Sequence, residues 1–346
     1  MTTILALDAM GGDIGPKVVV EGAAMALSRS TQRSLSFLLF GDKTLIQAEL
    51  DKFPDLRQKS TIIHTDILIT NDTKPAAAVR MGRKSNLGMA VDAVAKGQAH
   101  AVVSAGNTGA YMALSKILLK TLKGIDRPAI PAVMPTIKGK TVVLDLGANI
   151  DCSAENLVQF ALMGEAFSRQ ILNLEHPSVG LLNIGSEDLK GNATVQKAAQ
   201  LLKDIQDLNF SGFVEGNDIT AGTTDVVVTD GFSGNIVLKA IEGAAHLFKH
   251  LLEKSLSSSW LGKLGYLLAR SCFKEFKARI DPRFYNGAVF LGLKHIAVKS
   301  HGGTDSIGFA NAIHVAVQMA ESNLIDKIEQ RLNLMANAES SILDHA

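Results

Sequence analysis

The stretch "ALDAMGGDIGPKVVVEGA", residues 6–23, joins an apolar run to a helical pattern through a glycine-rich turn. The apolar run ends at Asp8, and Asp13, Gly15 and Pro16 lead into the helical pattern. A strand that feeds a helix through such a turn commonly holds a phosphate group, because the first N–H groups of a helix have no partner within it. The glycine spacing is not that of a dinucleotide or nucleoside triphosphate loop. The turn therefore predicts an anion site without a nucleotide.

The composition is that of a globular protein with a large core and no global electrostatic preference. The chain has 346 residues, of which 47% are hydrophobic, and a formal net charge of +1, so no overall field favours nucleic acid. Its two cysteines, Cys152 and Cys272, are far apart, which favours a reducing compartment and argues against a disulfide scaffold or a thiolate metal site. We find no signal-peptide pattern and no apolar run of the roughly 18 residues that span a bilayer. These features predict a cytoplasmic protein.

Short apolar runs alternate with longer helical patterns along the whole chain. Because most runs are continuously apolar, they are typical of parallel strands that helices cover on both faces. The pattern predicts an α/β fold, an αβα sandwich with an open, mostly parallel sheet, in which residues 1–346 form one catalytic unit. An arrangement of two lobes around one cleft stays open. The predicted strands are 4–8, 36–41, 61–65, 100–106, 132–136, 141–147, 178–185, 213–216, 225–231, 287–293 and 295–300, and the clearest helices are 153–172, 190–204, 232–256 and 305–335.

Five of these strands end in Asp, Asn or Ser with glycine, directly before a helix. The turns are "DAMGGDIG", "SAGNTGA", "DLGANID", "NIGSEDLKGNA" and "TDGFSGN". Ligands of open parallel sheets bind beyond the carboxyl ends of the strands, so these turns are predicted to converge on one cleft. A structural alternative stays open, because Asn and Asp also cap helices and glycine relieves strain where strands end.

Several familiar motifs are missing. The chain has no G-x-G-x-x-G after the first strand, no G-x-x-x-x-G-K-[ST] and no H-E-x-x-H. "GFSG" (231–234) lacks the last position of a nucleophile elbow. We therefore predict no metal and no cofactor, and a phosphate-sized anion held by backbone amides and Asn side chains.

Six blocks of the sequence, in order, resemble the signature blocks of the phosphate acyltransferase family, PlsX. They are "LALDAMGGD" (5–13), "VSAGNTGA" (103–110), "VVLDLGAN" (142–149), "VGLLNIGSEDLKGN" (179–192), "GFVEGNDI" (212–219) and "VVTDGFSGN" (227–235). "GAVFLGL" (287–293) and "SHGGTDSIGFANAI" (300–313) look like the closing blocks of that family. One stretch departs from the family pattern, since "GRKSNLGM" (82–89) stands where a more basic, serine-rich segment is common.

The resemblance implies an enzyme of bacterial phospholipid synthesis that transfers a long-chain fatty acyl group from acyl carrier protein to inorganic phosphate. It also implies the αβα fold of phosphotransacetylase and isopropylmalate dehydrogenase, a homodimer, and a membrane glycerol-3-phosphate acyltransferase as the next enzyme. Phosphate is already a nucleophile near neutral pH, so the reaction needs positioning, an oxyanion donor and help for the departing thiolate. A covalent acyl-enzyme is not expected.

The candidate residues follow from these needs. We expect the amides of Gly11 and Gly12, with those around Asn107 and Thr108, to hold phosphate. Asn149, Asn183 and Asn235 are the candidate donors to phosphate or to the thioester carbonyl. Lys190 and Lys239 would offset the negative charge, and His301 would protonate the departing thiol. Asp8 and Asp230 would orient turns or lysine side chains, and Asp8 is also a candidate for binding phosphate.

Residues 246–283 differ from the rest of the chain. Their apolar positions recur at helical spacing in two stripes, and they carry eight Lys or Arg against three acidic residues, so they predict an amphipathic helical hairpin with a break at "SSSW" (257–260). Three interpretations stay open: a dimerisation surface, docking of the acidic acyl carrier protein, or peripheral membrane contact. The membrane or dimer residues would be Trp260, Leu261, Leu264 and Leu268.

Two other enzyme activities are compatible with the predicted fold. One is phosphotransacetylase-like transfer from a short acyl-CoA, and the other is an NAD- and metal-dependent dehydrogenase. The missing dinucleotide glycines and the lack of clustered Asp ligands count against the dehydrogenase. A non-catalytic scaffold or lipid-binding protein is a further alternative.

Overall fold

The computed structural model describes residues 2–30, 34–274 and 281–343, and its strands form two sheets. The first sheet contains β1 (Thr2–Asp8), β2 (Ser34–Gly41), β3 (Ser60–His64), β4 (Ala101–Ser104), β10 (Ala288–Val289) and β11 (Ile296–Lys299). Their order across the sheet is β10-β11-β4-β1-β2-β3. All neighbours are parallel except β10, which runs antiparallel to β11.

The second sheet has five strands. It contains β5 (Pro131–Thr136), β6 (Gly139–Leu144), β7 (Val179–Leu182), β8 (Phe210–Val214) and β9 (Val226–Val228), in the order β5-β6-β9-β7-β8. Only β5 is antiparallel to its neighbour. The three valines of β9 are fully buried, as a central parallel strand with helices on both faces requires.

Helices follow most strands and cover both sheets. They are α1 (Pro16–Arg29), α2 (Lys43–Leu50), α3 (Pro54–Gln58), α4 (Pro75–Met81), α5 (Asn86–Ala95), α6 (Thr108–Leu119), α7 (Ala154–Leu172), α8 (Ala193–Lys203), α9 (Gly216–Ala221), α10 (Gly231–Ser257) and α11 (Trp260–Leu268), with short 3₁₀ turns at Gly82–Lys84 and Pro282–Tyr285. The last two helices are Ser306–Glu321 and Leu324–Leu343.

The predicted α/β class and the mostly parallel arrangement are confirmed, and each of the eleven predicted strands is found. The structure differs in dividing them between two sheets. An antiparallel bridge joins Ala129, just before β5, to Leu291, just after β10, so the edges of the two sheets meet there. The two buried apolar clusters each contain residues from both sheets, so the sheets share their core.

The helix predicted for residues 305–335 is two helices. The chain breaks at Ser322 and Asn323, and Asn323 adopts a left-handed backbone conformation with φ of 50°. Asparagine tolerates this conformation better than most residues, so Asn323 can end the first helix and let the chain change direction before the second.

The predicted hairpin is present as α10 and α11. Ser259 caps α11 by accepting a hydrogen bond from the N–H of Gly262, at the predicted break. From His246 to Leu268 nearly every side chain is exposed, so this part projects from the body of the protein. Glu275, Lys277 and Arg279, which contribute to the predicted charge of the hairpin, lie outside the described residues.

Candidate active site

The first sheet reverses its strand order between β1 and β4. From β1 the chain continues to β2 on one side, whereas β4 pairs with β1 on the other side, and β11 lies beyond β4. In open α/β sheets such a switch point leaves a crevice at the carboxyl ends of the strands, where ligands bind. The three turns that follow β1, β4 and β11 meet at this edge, and they contain Asp8, Asn107 and His301.

Asp8 forms hydrogen bonds with two neighbouring elements at the switch point. Its carboxylate accepts hydrogen bonds from Ser104 Oγ at 2.6 Å and from Asn86 Nδ2 at 2.7 Å, which joins the ends of β1 and β4 to the start of α5. Burial raises the pKa of the Asp8 carboxyl, while these hydrogen bonds act in the opposite direction. Asp8 is 1% exposed, and its hydrogen bonds hold the surrounding turns together. Its two predicted roles, binding phosphate and orienting turns, stay predictions.

The glycines after β1 allow the three turns to approach one another. A Cβ on Gly11 would lie 2.6 Å from Asp8 Oδ2 and 2.8 Å from the backbone nitrogen of Gly106. Gly12 has φ of 93°, and a Cβ there would lie 3.1 Å from the carbonyl oxygen of Gly302. Only glycine fits at Gly11 without displacing the backbone of the next turn. The predicted contact of these two amides with phosphate stays a prediction.

Lys299 is a cation at this edge that was not among the residues predicted from the sequence. It ends β11, and its Nζ donates to the carbonyl oxygens of Ala105, at 3.3 Å, and Ser300. Desolvation lowers the pKa of Lys299 to about 8, although the nearby carboxylates of Asp8 and Asp13 favour its charged form. The signal in the sequence is a lysine at the end of an otherwise apolar parallel strand, followed by a serine, a histidine and two glycines.

Helix α6 begins at the same edge. Asn107 caps it by accepting from the N–H of Ala110 at 2.9 Å, and its Nδ2 donates to the carbonyl of Asn71. Both polar atoms of Asn107 are therefore engaged within the protein. The N–H groups of Thr108 and Gly109 are in the first turn, where a helix lacks internal partners, so they are the donors that α6 can offer an anion.

His301 follows Lys299 on the exposed side of the cleft edge. Its backbone N–H donates to Asn286 Oδ1 at 2.9 Å, and its Nδ1 accepts from the N–H of Gly303 at 3.2 Å. Asn286 Nδ2 also donates to Ser300 Oγ and to the carbonyl of Gly308. One asparagine thus holds both ends of the loop that carries His301, a role that sequence reasoning did not find.

A second polar cluster lies at the carboxyl end of β6. Buried Asp145 accepts from the N–H groups of Ile130 and Asn149, at 2.9 and 2.7 Å, and from Asn149 Nδ2 at 2.9 Å. Asn149 Nδ2 also donates to the carbonyl of Pro128, so the amide group of Asn149 is engaged inside the protein. Asn235, in the first turns of α10, is exposed and lies against Gly147 of this turn.

The remaining candidates lie beyond β7 and along α10. Asn183 Nδ2 donates to the carbonyl of Lys190 at 3.1 Å, so the two residues form one turn with an exposed lysine side chain. Lys239 is exposed and forms an ion pair with Glu242 at 2.6 Å. The predicted site residues thus fall into two groups. At the first sheet lie Asp8, Gly11, Gly12, Asn107, Thr108 and His301, and near the ends of second-sheet strands lie Asn149, Asn183, Lys190 and Asn235. Asp230 caps α10 by accepting a hydrogen bond from the N–H of Ser233.

Neither metal ligands nor an activated thiol stand out. Within the ranges that the structure describes, no group of three or more His, Cys, Asp or Glu side chains is placed to bind a metal ion. Burial and the nearby carboxylate of Asp145 raise the pKa of the Cys152 thiol to about 11, so it is protonated and a weak nucleophile at neutral pH.

Comparison of the sequence with known proteins shows the family of this chain. Residues 3–327 match the sequence profile of a family described as "Fatty acid synthesis protein". The chain is 53% identical over 338 residues to the phosphate acyltransferase of Paramagnetospirillum magneticum, covering 97% of this chain and 96% of that protein. It is 50% identical over 330 residues to the phosphate acyltransferase of Rhodospirillum rubrum, covering 95% and 94% of the two chains.

Solved structures support the fold. EutD phosphotransacetylase from Staphylococcus aureus superposes with a TM-score of 0.58 at 16% identity, covering 92% of this chain and 94% of that chain. A phosphotransacetylase from Streptococcus pyogenes gives a TM-score of 0.56 at 19% identity, covering 96% and 94%. The predicted likeness to the phosphotransacetylase fold is confirmed, and so is the family predicted from the sequence blocks. The chain belongs to the fatty acid synthesis protein family, PlsX, the family of the phosphate acyltransferases.

Proposed function

We propose that the protein transfers a long-chain fatty acyl group from acyl carrier protein to inorganic phosphate in the cytoplasm. The observation that carries this proposal is the combination of Lys299, the glycine turn after β1 and the start of α6 at the strand-order switch. A cation, backbone amides and a helix N-terminus together suit a phosphate-sized anion. The acyl phosphate product is suited to a downstream membrane glycerol-3-phosphate acyltransferase.

The reaction is a direct displacement at the thioester. A phosphate oxygen attacks the carbonyl carbon, the new C–O bond forms, and the C–S bond breaks to release the carrier thiolate. Lys299 and the amides of Thr108 and Gly109 hold the phosphate, and His301 donates a proton to the thiolate. We keep Asn235 as the candidate donor to the developing oxyanion and Lys190 as a counter-charge, since both side chains are exposed.

A direct attack agrees with the condition of two nucleophilic side chains at the strand ends, Cys152 and Ser104. The thiol of Cys152 is held protonated by burial, as its pKa of about 11 indicates. Ser104 is fully buried, and its hydroxyl donates to Asp8 while accepting from the N–H of Gly106. Neither side chain is both accessible and activated, so the enzyme relies on positioning the two substrates.

The test uses purified protein and palmitoyl-acyl carrier protein, with and without phosphate. Free carrier thiol and hydroxylamine-trappable acyl phosphate are both measured. Phosphate-dependent release of both products supports the proposal. Turnover of acetyl-CoA in place of the acyl carrier protein thioester would favour the phosphotransacetylase-like activity, and thiol release without acyl phosphate would contradict direct transfer.

We further propose that the hairpin of α10 and α11 contacts the membrane surface and a second copy of the chain. Large apolar side chains are exposed along it, and at its tip they are Trp260, Leu261, Leu264 and Leu268, with exposed fractions of 73, 61, 45 and 78%. Lysines and arginines flank these side chains, an arrangement that suits a lipid interface with anionic headgroups. None of the described helices has both the length and the apolar composition that crossing a bilayer requires.

Two measurements separate these contacts. Flotation with anionic liposomes should be lost in a Leu261→Glu, Leu264→Glu variant, and equal flotation would remove the lipid contact. Sedimentation of wild type and of a Leu247→Glu, Leu251→Glu variant tests the dimer, because these exposed side chains lie on the stem of α10. An unchanged monomer–dimer distribution would exclude the stem as the dimer surface.

A further inference from the structure

A strongly basic surface borders the first-sheet cleft, on residues that the proposed chemistry does not use. It comprises α4 and the 3₁₀ turn after it, residues 74–84, and is called the basic segment here. Its four cations, Lys74, Arg80, Arg83 and Lys84, are all exposed. The sequence from 73 to 91 contains no acidic residue. Even after local pairing, the surface is therefore positive.

Only one of these cations is paired in the described part of the chain. Arg83 Nε lies 2.9 Å from Asp92, which also binds Lys96 at 2.6 Å. Lys74, Arg80 and Lys84 form no ion pair with the described residues, so their charges face solvent. Val79 and Met81 are also exposed, at 37 and 38%, so the surface combines free cations with apolar side chains. This mixture is typical of the rim and centre of a protein interface.

Hydrogen bonds and packing fix the basic segment beside the cleft. Asn71, just before it, donates to Asp13 Oδ1 at 2.7 Å and accepts from Asn107 through its carbonyl. Pro75 lies against Gly109 in the first turn of α6, since a Cβ on Gly109 would be 2.9 Å from the Pro75 ring. After the segment, Asn86 donates to Asp8. Both ends are thus anchored to residues of the candidate site.

We propose that the basic segment is the docking surface for an acidic carrier protein that delivers the thioester. This inference rests on the proposed function. A free anion would need cations that converge, whereas Lys74 and Lys84 are separated by the whole of α4, about 10 Å of helix. An acidic protein surface matches spread, exposed cations with apolar side chains between them. A lipid surface suits the hairpin better, where the large apolar side chains are concentrated.

The experiment compares an Arg80→Glu, Lys84→Glu variant with a matched Lys138→Glu, Lys140→Glu variant. The control pair is also exposed and makes the same change in charge, but it lies at the start of β6, the end opposite its site-facing turn. Steady-state kinetics are measured with palmitoyl-acyl carrier protein and with palmitoyl-CoA, a thioester without the protein. We expect KM for palmitoyl-acyl carrier protein to rise at least about tenfold in the first variant only, with palmitoyl-CoA kinetics unchanged.

The other possible results of this experiment contradict either the docking surface or the proposed function. Unchanged KM, or an equal rise in the control variant, overturns the docking surface. Equal losses with palmitoyl-CoA also overturn it, because the segment would then act on the reaction itself. Lost liposome flotation with unchanged KM would assign the segment to anionic lipid instead. If wild type turns over neither thioester with phosphate, the proposed function fails, which is distinct from all of these results.

Discussion

Lys299 should give the enzyme a phosphate affinity that falls above about pH 8. The pKa of this lysine is lowered from 10.5 to about 8 by burial at the end of β11, with Asp8 and Asp13 acting the other way. Because the folded-state pKa is depressed, the ammonium is mostly charged well below pH 8, half charged at about pH 8, and lost as the pH rises further. Inorganic phosphate is already largely a dianion at neutral pH, so a change in this window reports on the protein.

The size of the effect follows from the titration. One pH unit above the pKa, only about a tenth of the molecules keep the ammonium, so KM for phosphate should rise about tenfold between about pH 7.5 and about pH 9. A charge pair at about 4 Å in a partly buried site is worth up to about 4 kcal/mol. Lys299→Met should therefore raise KM for phosphate by up to about three orders of magnitude and abolish the pH dependence.

The assay is release of carrier thiol at varied phosphate and pH, with the acyl thioester saturating. Lys299→Arg is the matched control, because its guanidinium keeps the positive charge across this range and should keep KM flat. A wild-type KM that does not change between about pH 7.5 and about pH 9 would refute the assignment of Lys299 to phosphate. The same conclusion would follow if Lys299→Met retained wild-type KM.

Three further outcomes are expected. Gly11→Ala should lower the melting temperature by several degrees and abolish acyl transfer, because the new Cβ would lie 2.6 Å from Asp8 Oδ2. A melting curve identical to that of wild type would contradict this close approach. Asn286→Ala should lower kcat about tenfold, because the loop that carries His301 loses its hydrogen bond to Asn286. Asn286→Asp should partly restore kcat, because Oδ1 can still accept from the His301 N–H. Equal kcat in wild type and both variants would show that Asn286 does not position His301. Cys152→Ser should keep acyl transfer within about twofold, and complete loss would point to an acyl-cysteine.

The fold was predictable because its signals are local. Short apolar runs such as the three valines within 225–231 could be assigned to buried parallel strands, and the serines at 257–259 predicted the turn between α10 and α11. The division into two sheets could not be predicted in this way. It depends on the bridge between Ala129 and Leu291, two residues whose pairing no local pattern reveals.

The site was predictable in part for the same reason. Turn residues such as Gly11 and Asn107 stand out in the sequence, since glycine and asparagine directly after an apolar strand are typical of tight turns and helix caps. Lys299 was missed because a strand-ending lysine resembles a solvated one, and its burial depends on Ala105 and Asp8, far away in the chain. The internal hydrogen bonds of Asn149 could not be predicted either, because an asparagine that bonds within a turn has the same local sequence pattern as one that faces a ligand.

The strand order of the first sheet has a consequence for biosynthesis. Its edge of polar residues combines Asp8, Ser104 and Lys299, whereas the second sheet is complete within residues 131–228. During synthesis from the N-terminus, β4 therefore waits with one unpaired edge until β11 leaves the ribosome, and such an edge is open to wrong pairing. A chain released before Lys299 can hold a finished second sheet but no complete cleft. Prematurely terminated copies are therefore expected to keep the free edge of β4 unpaired, which makes them prone to aggregation.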